Sequence, residues 1–198
     1  MFYAKGDILK LRILLLISAV FLSACQSTSS APEKKNLSQE QILEQRSVIL
    51  GKADKALARL YAEKPEVRKE IEEAVGYGVF DVTTVNALVL VGAKGPGVIF
   101  DNKTKSPTFM VSLRAGTGPG VGYQELLQVF VFKSAEALAQ FKVANKGGGD
   151  LIGSVTVGTN AQQLSINPYI NLYQLSEKGF AVQANYGGAV YYVDPDLN

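Results

Sequence analysis

The chain has 198 residues, enough to bury a core, with no His, no Trp and one cysteine, Cys25. This composition excludes histidine acid–base catalysis, Cys/His zinc sites and intramolecular disulfides. Of 20 basic and 18 acidic residues, Lys5, Lys10, Arg12 and Asp7 precede Cys25, which leaves the rest of the chain neutral and argues against nucleic acid as a partner.

Ile13–Leu22 is an apolar run too short to span a bilayer, which needs about 20 residues, but suited to the core of a signal peptide. Leu22-Ser-Ala-Cys25 follows. This resembles a bacterial lipobox, an apolar residue and two small ones before the cysteine that takes the lipid. The alternative is an ordinary secretory signal with a chance cysteine. Under the lipobox reading residues 1–24 are removed and Cys25 is acylated. Two or more acyl chains anchor stably, at roughly 0.8 kcal/mol per buried CH₂. Gln26, which is not Asp, implies sorting to the outer membrane by the enteric rule. Polar residues 26–37 then read as a flexible tether of at most about 40 Å.

Ser38-Gln-Glu-Gln41 fits a capping box, and Leu37 with Ile42 a hydrophobic staple. Ile42, Ile49, Ala53, Ala56, Leu57 and Leu60 recur at helical spacing, opposite Glu44, Asp54 and Lys55. The mixed charge of that polar face favours packing on a sheet over lying on a membrane. Pro65 suits the first turn of a second helix with Val67, Ile71, Ala74 and Val75 inward. Residues 26–75 hold 18 charged residues and one glycine, whereas 76–198 hold 16 charged residues and 17 glycines. The break near Val75 marks helices giving way to sheet, and the helices need that sheet as a partner.

Ala87–Val91 and Val98–Phe100 flank Gly92-Ala-Lys-Gly-Pro-Gly97. The spacing predicts a β-hairpin buried on both faces, with Gly92, Gly95 and Gly97 supplying a tight turn around Lys94. Asp101–Pro107 is a polar turn carrying Lys103 and Lys105. Thr108–Ala115 alternates, with Phe109, Val111, Leu113 and Ala115 on one face and Met110, Ser112 and Arg114 on the other. Gly116, Gly118, Gly120 and Gly122 continue at period 2 without forming a phosphate loop. They mean either close packing or a sharp bend, or a shallow groove for an elongated ligand. Leu126–Phe132 reads as a buried strand. Ser134 caps a helix to Ala144 with Ala135, Leu138 and Phe141 inward. Gly147–Gly149 reads as a loop. Strands over Leu151–Thr159, Tyr169–Leu175, Phe180–Tyr186 and Ala189–Val193 follow, with Ser176–Gly179 as a hairpin turn.

These elements predict one α+β domain over residues 38–198. It is a curved antiparallel β-sheet or barrel covered by the N-terminal helices and one short internal helix.

In their order, these segments resemble the SYLF domain family over roughly residues 48–198. Ala87–Phe100 resembles its apolar strand, glycine turn and following strand. Ser106-Pro107 with Phe109 resembles its Ser-x-Pro segment, and Gly116–Gly122 with Glu125–Phe132 its glycine ladder and apolar strand. Ala135-Glu-Ala137 with Phe141, Gly149-Asp150 through Gly158, and Lys178-Gly-Phe-Ala181 resemble its later motifs. Lys105 stands where the family usually has Trp, and Pro96 and Leu175-Ser176 also depart from its pattern. Eukaryotic members are lipid-binding actin regulators, and bacterial members are often secreted or lipidated. The resemblance therefore implies membrane phospholipid as the partner, and the anchor at Cys25 would hold the domain at the periplasmic face of the outer membrane. A structural lipoprotein binding a cell-envelope protein is the alternative. An enzyme is the weakest reading, since Asp81, Asp101, Glu125 and Asp150 are scattered without a motif. No cofactor or metal is expected. Arg114 is the leading lipid contact, with Lys94, Lys103 and Lys105 expected to flank one groove beside the glycines.

Overall fold

The structure is a computed structural model that describes residues 36–143, 162–183 and 186–198. The signal segment, Cys25, most of the tether, the Gly147–Gly149 loop and the Leu151–Thr159 strand lie outside the described residues.

Helix α1 spans Gln39–Glu63 and begins at the predicted capping box. The Ser38 hydroxyl accepts from the Gln41 amide at 3.2 Å, and the Gln41 side chain accepts from the Ser38 amide at 2.9 Å. Its stripe buries Ile49, Ala53, Ala56 and Leu60, with Ile42 and Leu57 partly buried beside them. Helix α2, Val67–Glu73, buries Val67 and Ile71. Its last carbonyls are satisfied from the next turn, where the Asn102 amide donates to Ile71 and Ala74 oxygens at 2.7 and 2.9 Å. Helix α3, Ala135–Val143, starts at Ser134, whose hydroxyl accepts from the Ala137 amide. Leu138 and Phe141 point inward as expected, but Ala135 is exposed and Ala137 takes the inward position.

The strands are β1 Gly76–Asp101, β2 Pro107–Phe132, β3 Gln162–Asn167, β4 Ile170–Gln183 and β5 Tyr186–Val193. They form one antiparallel sheet in the order β1-β2-β4-β3, with β5 also on β2. The sheet is curved but not closed, so of the two forms anticipated it is the curved sheet. On its second edge, β2 pairs with β5 over Met110–Thr117 and with β4 over Gly120–Phe132. Pro119, with no N–H to offer a ladder, stands at the changeover.

Three expectations fail here. The glycine segment Gly92–Gly97 is not a turn. It lies within β1, which continues from Gly76 to Asp101 and pairs with β2 almost throughout. None of Gly92, Gly95 and Gly97 has positive φ. Instead, the curl brings the second half of β1 against its own first half. A Cβ on Gly95 would stand 1.9 Å from the Asp81 carbonyl oxygen, and one on Gly97 would stand 2.1 Å from the Phe80 ring. These glycines serve close backbone approach, the second use of that residue in strands. Pro96 is tolerated because β1 is an edge strand. Of the run read as buried on both faces, Ala87–Val91, only Val91 is buried, and Ala87–Leu90 is exposed. Finally, Ser176–Gly179 is no hairpin turn. It runs inside β4, where a register shift against Glu125/Leu126 absorbs the extra residue. The tight turn lies instead between β3 and β4, where Asn167 pairs with Ile170.

Two cores occupy the two faces of the sheet. The outer face meets α1 and α2 through Val79, Val98, Phe109, Leu127, Val129, Val131, Tyr173 and Leu175. The inner face packs Phe80, Phe130, Phe132 and Tyr191 against Phe141 of α3, with ring centroids 4.9–6.3 Å apart. Burying side chains of this size is worth about 1.5–3 kcal/mol each, so the aromatic cluster is a main source of stability.

Candidate functional site

Helix α1 covers only one end of the outer face. Its ties are the Arg46 guanidinium to the Leu197 carbonyl at 2.9 Å, the Arg59 guanidinium to the Ser176 carbonyl at 2.9 Å, and the Lys52–Asp81 ion pair. That pair raises the pKa of Lys52, chiefly through the hydrogen bond to Asp81. Beside it lies a cleft lined by Ile49, Lys52, Ala53, Val79, Asp81, Pro96 and Leu127, with a volume of about 10 Å³. That is room for one water and none for an acyl chain.

Beyond Asp81 and Pro96 the same face continues without a covering element among the described residues. Directly paired residues share a face, so the register lays out a strip. Lys94 sits opposite Leu113, which sits opposite Val190. Next come Gly92 with Ala115, Leu90 with Thr117, Ala87 with Val121, and Val85 with Tyr123. Val85, Leu90, Leu113, Val121, Tyr123 and Val190 are all exposed. Rows of one face repeat at about 6.8 Å, so the strip is roughly 30 Å long. Its apolar character was not foreseen, although the run Ala87–Val91 carried the signal. Residues 82–100, 107–124 and 186–193 contain Lys94 and Arg114 and not one Asp or Glu.

The strip is broken by an irregularity. Leu88 pairs with Gly120 and Leu90 with Thr117, so the register shifts between them. Leu88 has φ 60°, a left-handed conformation that costs a leucine about 1–2 kcal/mol. The inner face of β1 passes from even positions, ending at Asn86, to odd positions, starting at Val91.

The four cations do not converge. Arg114 pairs with Ala93 and Ala189 on the inner face, whereas Lys94 pairs with Leu113 on the outer face. Lys94 is therefore on a strand and exposed, not in a turn. Arg114 is half-buried near Tyr191, and burial lowers its pKa. Tyr191 donates to the Gln128 side chain at 3.1 Å, and burial pushes its pKa up to about 12. Lys103 and Lys105 are exposed in the β1–β2 turn at the far end of the hairpin, Lys105 with φ 57°. There the Asp101 carboxylate accepts from the Thr104 and Lys103 amides, which hold its pKa below the usual range. A single groove flanked by all four is thus excluded. Gly116, Gly120 and Gly122 lie on the inner, Arg114 face, and Gly118 falls at the register shift.

What the fold and this surface define is an α+β domain with one half of a sheet face sealed by helices and the other half, among the described residues, uncovered and largely apolar, with Glu125 at its border. No family model matches the chain. Over 156 residues, 78% of its length, it is 33% identical to Beta cell expansion factor A of Aeromonas veronii. The match takes in 59% of that protein, so the chain spans less than two thirds of this relative's length.

Proposed function

We propose that this chain is a lipid-anchored protein of the bacterial envelope whose SYLF-like domain binds phospholipid surfaces. The observation that carries the reading is the bare outer strip, whose large exposed side chains are apolar, with Lys94 upon it and the Glu125 carboxylate, bonded to the Tyr123 hydroxyl, at its end. Contiguous exposed apolar surface on a protein marks a site of association, and a lysine along the strip with no carboxylate in residues 82–100 and 107–124 suits an anionic lipid surface. The lipobox reading of Leu22–Cys25 supports it independently, by holding the domain within tether reach of the periplasmic face of the outer membrane. In this reading phospholipid is bound, not transformed.

Two measurements test this. Cys25→Ser should abolish metabolic palmitate labelling and move the protein out of the membrane fraction. The same variant, carrying no acyl chain, should still sediment with phosphatidylglycerol vesicles and less with phosphatidylcholine vesicles. Sedimentation with neither would overturn lipid binding and favour a protein partner in the envelope.

A further inference from the structure

Side chains in a strand alternate between faces, so a strand covered on one side shows alternating exposure. β1 does this from Phe80 to Asn86, and again from Val91 to Gly97. Between them the alternation stops. Leu88, Val89 and Leu90 are 70%, 63% and 64% exposed in succession. Three consecutive exposed side chains mean that both faces of the ribbon are uncovered at this point. The opposing residues, Gly118, Pro119 and Gly120, add no charge.

We infer that the Leu88–Val89–Leu90 bulge is a wedge that enters the acyl region of a bilayer, while Lys94 further along β1 stays at the phosphate level. This rests on the reading of the domain as a phospholipid binder and names the element that performs it. A protein partner docked on a flat face would bury one side of the ribbon and leave the other wet. An apolar medium that surrounds the tip buries both. β1 and β2 pair on both sides of the bulge, while the outward backbone groups of β1, an edge strand, must stay within reach of water and headgroups. The depth is that of an interfacial element, about 5–10 Å, and not a span. The left-handed φ of Leu88 gives the wedge a second mark, since strain held at a bulky residue is a cost that a purely structural strand has no reason to keep.

The chain contains no Trp, so one introduced Trp reports its own surroundings. Val89→Trp in the full chain carrying Cys25→Ser, so that no acyl chain supplies the binding, should shift its emission to the blue on adding phosphatidylglycerol vesicles and be quenched by lipids brominated on the acyl chains. Leu43→Trp, at an equally exposed position on α1, should show neither effect. The double variant Leu88→Ser, Leu90→Ser should weaken vesicle partitioning at least about tenfold, because burial of even one leucine is worth that much. If the chain sediments with vesicles but Val89→Trp responds no more than Leu43→Trp, the wedge is wrong and the lipid-binding reading stands. If the chain does not sediment at all, both fall. A blue shift that is present without vesicles and is lost on dilution would show a second copy covering the tip, and would also overturn the inference.

Discussion

The two halves of the β1–β2 ribbon are built alike and treated differently. At one end, Val79, Val98, Phe109 and Leu127 lie on the outer face beneath α1. In the middle, Val85, Leu90, Leu113 and Val121 lie exposed on the same face with no covering element among the described residues. Residue type does not separate the two sets. What separates them is the reach of one helix, which is tied down at Asp81 by Lys52. An apolar side chain is therefore evidence of burial only when a partner element is long enough to reach it, and here the uncovered remainder is the candidate working surface.

The sharpest way to break this comparison is at the glycines. Gly95→Val should cost above about 4 kcal/mol or prevent folding, because its Cβ would meet the backbone of Asp81 and Val82, which cannot swing aside. Gly92→Val, three residues earlier with nothing within 4 Å, should change stability by less than about 0.5 kcal/mol. Urea unfolding of both variants checks the pair, and equal losses would mean that the curl of β1 is misplaced.

Two leucines give the next contrast. Leu60→Ala on α1, fully buried, should lose about 2–5 kcal/mol, whereas Leu90→Ala should lose less than about 0.5 kcal/mol. A large loss at Leu90 would show that the strip is covered in the folded protein.

High pH should act through the covered half. Burial raises the pKa of Tyr191 from 10.0 to about 12. Burial, then the bond to Glu70, raises that of Tyr173. A raised native pKa contributes stability that is present below the unfolded value and is lost as pH climbs through the native one. Unfolding free energy should therefore fall between about pH 10 and 12, by about 2–3 kcal/mol from Tyr191. Tyr191→Phe should flatten that slope in denaturant midpoints measured against pH.

The smallest effect should come from Leu88→Gly, which relieves the left-handed leucine. It should raise stability by about 1 kcal/mol or leave it unchanged, while weakening vesicle binding. Opposite signs in the two assays would assign the strain to function. A loss of stability would assign it to packing.

Much of the fold was legible in the sequence because its signals are local. The Ser38 capping box, the α1 stripe, the Ser134 cap, the Asp101–Pro107 turn and the alternation of β2 each depend on residues within a few positions of one another. The same holds for the glycine cluster only in appearance. Glycine permits both a reversal of the chain and the close passage of another backbone, and within Gly92–Gly97 nothing distinguishes them. The choice was made by Phe80 and Asp81, over a dozen residues earlier, when the curl of the hairpin brought them against Gly95 and Gly97.

The candidate site follows the same division. By itself the sequence determined that residues 82–100 and 107–124 are largely apolar and free of carboxylates, and that their cations are Lys94 and Arg114. Only the tertiary structure decided that these two cations lie on opposite faces and that Ala87–Leu90 is bare instead of buried. Face is set by strand register and bulges, and exposure by the length of a neighbouring helix. Both are long-range properties that a run of hydrophobic residues does not encode.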